Sequence, residues 1–212
     1  ITALKLAENI SGCKFVYTQS DEITLVVTDY DTVNTEAWFD YNVQKMCSVA
    51  ASMATMTFNK AFEKAVRDFC RRINNCFTCT NEESNLVTAY ERAVDVGAMF
   101  DCRVFTIPDE EVINCLIWRQ QDATRNAIQM LGQTYFSSKE LHKKSQSDIQ
   151  DMLMLQKGIN FNDMPIEFKR GICCKRVDIE DGTSIRSKWV IDKEIPIFTQ
   201  NRDYIESVLP QR

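Results

Sequence analysis

The sequence predicts a single α+β domain, and three observations carry that prediction. Two pairs of strand-like runs are present, at 14–18 with 23–28 and at 166–178 with 185–192, each joined by a short polar connection. Two long stretches repeat their apolar residues near a 3.6 period, 36–70 and from Pro108 to about 136. No internal repeat, low-complexity segment or linker divides the 212 residues.

The opening "ITALKLAENI" reads as the latter part of a helix, with Ile1, Leu4 and Leu6 or Ala7 on its inner face. It has no initiator Met, which leads us to expect a segment upstream. The first strand pair, "YTQSDEITLVV" at its centre, is a hairpin whose polar connection is Gln19, Ser20, Asp21 and Glu22. The 36–70 helix places Phe39, Val43, Met46, Ala50, Met53, Phe58, Ala61 and Ala65 on one face. Its middle, "SVAASMAT", is built of small residues that allow close approach of another element, as when a helix lies across a sheet.

Residues 74–85 read as a polar loop and 86–97 as a helix ended by Gly97. "AMFDCRVFTI", 98–107, is predicted to be a strand with Phe100, Cys102 and Val104 on one face. Pro108 and the acids Asp109, Glu110 and Glu111 then open the second long helix, where the helix dipole favours negative charge. A short helix is expected near 147–155, a turn at "GINFNDMP", a tight turn at Asp181-Gly182 and a helical tail in "NRDYIESVL".

With 44% apolar and 26% charged residues, the chain has ordinary globular composition, and no apolar run is long enough for a transmembrane helix. Nine cysteines, an odd number without a framework or secretion signal, fit reduced thiols in the cytoplasm. Cys76 and Cys79 have the spacing of half a zinc site, with Cys173-Cys174 the other conceivable half, but no His lies near them. A formal charge of −5 argues against a protein that simply coats nucleic acid, whereas residues 137–176 carry eight Lys and Arg against five Asp and Glu. Such a local surface suits a phosphate-bearing partner or simple solvation. The one histidine, His142, sits in the polar "KELHKK" without a nucleophile motif, which sets aside a Ser-His-Asp hydrolase. No Gly-rich phosphate loop occurs, so nucleotide handling would rely on metal and basic side chains.

Three constellations could carry chemistry. Asp21 and Glu22 would project from the end of a sheet, where paired carboxylates can hold Mg²⁺ together with water and substrate phosphates. Two such ions can stabilise the attacking and leaving oxygens of an in-line displacement. In "WRQQDATRN", Arg119, Asp122 and Asn126 fall at i, i+3 and i+7, on one helical face distinct from that of Val112, Leu116, Ala123, Ala127 and Leu131. In "KGINFNDMPIEFKRG", Asn160 and Asn162 can fix a turn, while Lys157, Lys169 and Arg170 can contact phosphates.

Taken together and in order, "YTQSDEITLVV", "FDCRVF", "WRQQDATRN" and "KGINFNDMPIEFKRG" resemble the tRNA(His) guanylyltransferase family, the reverse polymerases that extend RNA in the 3′-to-5′ direction. The resemblance covers residues 1–178 and implies a polymerase-palm-like antiparallel sheet with helices packed on one face. Residues 179–212 would then be a strand-helix extension of the same domain. It further implies a nucleotidyltransferase that activates the 5′ end of tRNA with a nucleoside triphosphate, GTP or ATP, before the 3′-hydroxyl of an incoming nucleotide attacks. tRNA(His) guanylylation and 5′-end repair are the expected reactions, with two Mg²⁺ ions. Asp21 would be the metal ligand and Asp21 with Glu22 the catalytic pair. Ser20, Lys45, Arg119 and Asn126 would bind nucleotide, and Asn160, Lys169 and Arg170 would contact RNA or triphosphate. A homo-oligomer, dimer or tetramer, is implied in the same way.

Several positions depart from the family pattern. Its first metal carboxylate lies in an upstream Arg-x-Asp-Gly strand not found in this sequence, which leaves Asp101 as another carboxylate to consider. Thr124 stands where other members often carry His, a usual Lys falls near Ile149, and Asp40, Tyr41 and Asn42 replace basic residues after the Trp-Phe pair. These departures keep a rival open, a catalytically inactive palm-fold module that binds nucleotide or RNA. Cyclic-dinucleotide synthesis ranks last, since no Gly-Gly precedes the acidic turn.

Overall fold

A computed structural model describes residues 1–74, 80–182 and 184–210. Its elements are α1 (Thr2–Asn9), β1 (Cys13–Gln19), β2 (Glu22–Val27), α2 (Val43–Asn74), α3 (Asn81–Val96), α4 (Asp109–Tyr135), α5 (Ser138–Leu141), α6 (Gln146–Lys157), α7 (Ile166–Arg170), β3 (Ile172–Asp181), β4 (Ser184–Asp192) and α8 (Asp203–Glu206). The four strands form an antiparallel sheet in the order β2-β1-β3-β4. The α+β class and the antiparallel sheet match the expectation; the helices, however, cover both faces instead of one.

Strand alternation explains the two layers. Val16 and Cys174 face α1 and α2, in a core with Ala3, Leu6, Ala7, Ile10, Ala50, Ala54 and Trp189. Phe15, Tyr17 and Cys173 face the other way, onto Ile113, Leu116 and Ala123 of α4 and onto Ile195, Phe198 and Ile205. A bulge between Cys13 and Phe15 in the β1–β2 register returns Cys13 to the α1 side. A third cluster joins Ala127, Ile128 and Leu131 of α4 to Ile149 and Leu153 of α6 and to Phe161.

Several local expectations are corrected. The inner face of α1 is Ala3, Leu6 and Ala7, with Ile1 exposed, and α1 itself nests with the small residues Ala50 and Ala54 of α2. The long helix starts at Val43, because Phe39, Asp40 and Tyr41 all have positive φ and break the helical path after Trp38. Residues 166–170 are helix, not strand. Pro165 precedes the first turn, and Gly171, at φ +84°, ends it. In the tail, the α-helix proper covers only Asp203–Glu206.

Residues 98–107 are neither helix nor strand and join no sheet among the described residues. Side chains of α2 take up their backbone groups. Asn59 accepts from the Ala98 N–H at 2.8 Å and donates to its carbonyl at 2.9 Å, while Thr55 accepts from the Phe100 N–H at 3.0 Å. The residue types suit a strand, but pairing needs a neighbouring strand edge that sequence pattern does not reveal.

The C-terminal segment is tied into the α4 face by polar as well as apolar contacts. Gln120, 4% exposed, donates to the Pro196 carbonyl at 2.9 Å and accepts from the Phe198 N–H at 2.8 Å. Asp192 accepts from the Tyr204 hydroxyl at 2.7 Å and pairs with Lys175 at 3.2 Å, and the Lys175 ammonium lies 3.9 Å from the Tyr204 ring centroid. Partial burial works against the Asp192 charge, but bonds from Tyr204, Lys175 and the Glu194 N–H outweigh it and hold its pKa below the ordinary value. The Tyr204 hydroxyl is pushed up, by burial first and then by Cys173 and Asp192.

Two outcomes are expected. Gln120→Leu keeps the volume but leaves two buried backbone groups without partners, at about 1–3 kcal/mol each, so urea unfolding should lose roughly 2–4 kcal/mol. The exposed Gln121→Leu should stay within about 0.5 kcal/mol of the parent. Because the folded pKa of Asp192 is depressed, its contribution to stability is fully present above the unfolded value of about 3.9 and is lost as pH falls through the folded value. Asp192→Asn should therefore flatten the acid limb of a plot of urea midpoint against pH.

Candidate functional site

The opening hairpin closes more tightly than its polar stretch implies. Gln19 pairs directly with Glu22, so the connection is only Ser20 and Asp21. Ser20 has φ +53° while Asp21 does not enter the positive region, the pattern of a type II′ turn, whose first position favours glycine. Thr18 braces the turn by donating its hydroxyl to the Glu22 carbonyl at 2.9 Å.

With the register fixed, Tyr17 stands opposite Thr24 and Gln19 opposite Glu22, all on the α4 side of the sheet. The result is a pocket with two walls. One wall is Tyr17, Gln19, Ser20, Asp21, Glu22 and Thr24 from the hairpin, and the other is Arg119, Asp122, Ala123 and Asn126 from α4. The small Ala123 lets the helix sit close to the strand. Glu22 and Arg119, 97 residues apart in sequence, form an ion pair across the pocket at 3.0 Å. The Arg119 guanidinium also lies over the Trp118 ring, 4.7 Å from its centroid, which restrains the side chain. Asp122 and Asn126 are spaced one helical turn apart, 3.5 Å from Asn126 Nδ2 to the carboxylate.

The Tyr17 hydroxyl is pushed well above its ordinary pKa, by burial first and by Cys173 next, with Arg119 acting in the opposite direction. It therefore stays protonated and serves as a donor, to the Arg170 carbonyl at 2.7 Å. Burial likewise raises the thiols of Cys13, to about 12, and of Cys173 and Cys174, which disfavours their thiolates as nucleophiles. The other half of the conceivable zinc site, Cys76 and Cys79, lies outside the described residues.

Of the residues singled out in the sequence, Ser20, Asp21, Glu22, Arg119 and Asn126 come together in this pocket. Asn160, Lys169 and Arg170 do not line it, although the Lys169 and Arg170 carbonyls meet Thr124 and the lining residue Tyr17. Asn160 caps the 3₁₀ turn at Phe161–Asp163 by accepting from the Asn162 N–H at 3.0 Å, and the Lys169 ammonium donates to the Asn162 carbonyl. Lys45 stands apart on α2, 4.4 Å from the Phe39 ring centroid. Asp101 is exposed, 3.5 Å from Arg103, and does not reach the pocket. Tyr17, Gln19 and Thr24 were not anticipated. The signal that finds them is the two-residue turn, because the register it imposes puts 17, 19, 22 and 24 on one face.

The donors suit magnesium in part. Asp21, Glu22 and Asp122 are hard oxygen ligands lining one pocket, and Mg²⁺ binds through one or two carboxylates with water and phosphate completing the shell. Glu22 is shared with Arg119, and no group of three or more His, Cys, Asp or Glu among the described residues could hold a metal. The described residues thus fit one ion at Asp21 and do not supply a second set.

Comparisons with known proteins identify the family. The family model described as tRNAHis guanylyltransferase (Thg1) matches residues 1–108. A bacterial tRNA(His) guanylyltransferase (Thg1)-like protein solved in complex with ATP is 38% identical, with a TM-score of 0.74 over 99% of this chain and 76% of that one. A second such bacterial structure, in complex with GTP, is 36% identical, with a TM-score of 0.69 over 98% and 74%. The tRNA(His) guanylyltransferase of Saccharomyces cerevisiae, at 16% identity and a TM-score of 0.56 over 94% and 80%, shares the fold. No curated protein matches. The chain belongs to the tRNA(His) guanylyltransferase family and is a nucleotidyltransferase of that type. No helix among the described residues is long and apolar enough to cross a membrane.

Ser20→Gly should relieve the positive-φ position and raise unfolding free energy by about 0.5–1 kcal/mol, whereas the β-branched Ser20→Val should lower it. Thermal unfolding of the two variants provides the check.

Proposed function

We propose that this protein adds nucleotides to the 5′ end of tRNA in the 3′-to-5′ direction, as tRNA(His) guanylylation or 5′-end repair, using nucleoside triphosphates and Mg²⁺. The observation that carries the reading is the pocket in which the Ser20–Glu22 turn faces Arg119 and Asn126. One wall has carboxylates for a cation; the other has a guanidinium and an amide for phosphate and base. The ATP and GTP complexes of the two bacterial relatives support triphosphates as substrates.

Within that reading, Asp21 at the hairpin tip holds the ion, which when bound offsets the phosphate charge that would otherwise repel an attacking hydroxyl. Glu22 holds Arg119 in place, so that its planar fork is already oriented when a phosphate arrives. Ser20 and Asn126 offer hydroxyl and amide groups to the nucleotide. Lys169 and Arg170, beside the pocket, contact the triphosphate or RNA backbone, with Asn160 fixing the turn before them.

We read 1–178 as the palm-like unit and 179–212 as its extension. β4 pairs with β3 from Cys173 to Asp181, and Ile195, Phe198 and Ile205 complete the core over α4. A cytoplasmic homo-oligomer belongs to the same proposal. Exposed Tyr41, Val43 and Phe105, which line an open apolar depression with Met46 and Val104, support the oligomer.

A second reading, binding of nucleotide or RNA without turnover, is favoured by the Glu22–Arg119 ion pair, which engages one of the two hairpin carboxylates. One assay separates the two: incorporation of labelled nucleotide into 5′-truncated tRNA with Mg²⁺. Asp21→Asn should reduce incorporation by at least roughly a thousandfold while leaving the unfolding free energy within about 0.5 kcal/mol of the parent. An active Asp21→Asn protein would overturn the role given to Asp21, and a parent that binds RNA but never incorporates would leave the binding module.

A further inference from the structure

The last carbonyls of helix α7, like those of any helix, have no partner within it. Two of them face side-chain hydroxyls, one from β1 and one from α4. The Thr124 hydroxyl of α4 shares its single proton between the Lys169 carbonyl at 2.9 Å and the Gln120 carbonyl of its own helix at 3.0 Å. The Tyr17 hydroxyl of β1 donates to the Arg170 carbonyl at 2.7 Å. Gly171 follows at φ +84°, pressed so close to β1 that a Cβ there would stand 2.6 Å from the Thr18 carbonyl oxygen and 2.9 Å from the Tyr17 ring. Only glycine passes through at that distance and with that backbone.

The anchors sit at the pocket itself. Tyr17 lines it, and Thr124 directly follows the lining pair Asp122 and Ala123. What they tether is a cationic pair of adjacent residues. The Lys169 ammonium is turned back to the Asn162 carbonyl, and among the described residues the Arg170 guanidinium has no hydrogen-bond or ion-pair partner. A cation contributes to phosphate recognition only when its distance from the reacting site is fixed, and displacement by about 1 Å can cost a hundredfold.

We propose that Tyr17 and Thr124 are positioning residues, whose hydroxyls hold the C-terminal end of α7 so that Lys169 and Arg170 meet a substrate phosphate at a set place beside the pocket. The inference rests on the reading that this pocket handles nucleotides. The phosphate belongs to the nucleoside triphosphate or to the 5′ end of the RNA, and kinetics distinguish these sources.

The test compares Thr124→Val, which keeps the shape and loses the hydroxyl, with Thr124→Ser, which keeps the hydroxyl, and with Tyr17→Phe. Nucleotide incorporation is measured while ATP or GTP and then 5′-phosphorylated, 5′-truncated tRNA is varied, and the Kd of each is measured by equilibrium binding. Thr124→Val and Tyr17→Phe are expected to raise KM and Kd for the phosphate-bearing ligand roughly ten- to hundredfold, with kcat within about threefold. Thr124→Ser should restore them, and neither Val nor Phe should add to the effect of Arg170→Ala with Lys169→Ala. A rise for the triphosphate alone assigns the pair to the nucleotide, and a rise for the tRNA alone assigns it to the RNA end.

Unchanged KM and Kd in both variants would overturn the inference, as would a loss of activity that follows the folded fraction with Ser no better than Val. A parent protein that binds both ligands without incorporating would remove the catalytic reading, and the Kd values would still decide the inference. A parent that binds neither would overturn both.

Discussion

The packing of α4 on the Phe15–Tyr17–Cys173 face of the sheet governs the rest of the molecule. Leu116, almost wholly buried, and Ala123 fill the contact, and the short side chain at Ala123 brings the helix close to Tyr17. Everything chemical in the site follows from that approach. Arg119, one turn before Ala123, reaches Glu22 across the gap, and Asn126, nearly one turn after it, closes the pocket. The same helix then continues into the third core cluster, where Ala127, Ile128 and Leu131 support α6 and the turn before α7.

The pocket is polar because the hairpin ends where α4 begins to cover it. A β-turn of two residues leaves little freedom, and the chain places its strain there, in the positive φ of Ser20, next to the acid at the tip. On the opposite side of the sheet the constraint is different. Small residues of α1 and α2 pack into an apolar layer with Val16 and Cys174. The division of labour between the faces comes from the two-residue period of β1, which sends Phe15 and Tyr17 one way and Val16 the other.

Stability and site geometry meet in the C-terminal part. Gln120 neighbours Arg119, and its buried amide holds residues 196 and 198 against α4 while Arg119 faces the pocket. Phe198 packs edge-on to Tyr17 at 5.6 Å between ring centroids and stacks on Tyr204. Tyr204, in turn, bonds Asp192 beside Lys175. Residues 195–205 therefore brace the strand and helix that form the site.

The sequence by itself determined the elements whose signals are local. Apolar periodicity located α4 and most of α2, alternation with a polar break located the β1–β2 hairpin, and helical spacing put Arg119, Asp122 and Asn126 on one face before any fold was known. The order of the motifs carried the family. What depended on distant partners was not legible. Residues 98–107 have strand composition but no described strand edge beside them, and 166–170 became a helix between Pro165 and Gly171 despite a strand-like pattern. Lys45 read as equivalent to the other cations, yet it lies away from the pocket that gathers Asp21 and Arg119. Only the tertiary structure decided which face of β1 meets α4, and with it the membership of Tyr17, Gln19 and Thr24 in the site. The physical reason is that period and spacing fix which residues travel together on one element, whereas the partner that element meets is chosen by packing summed over the whole chain.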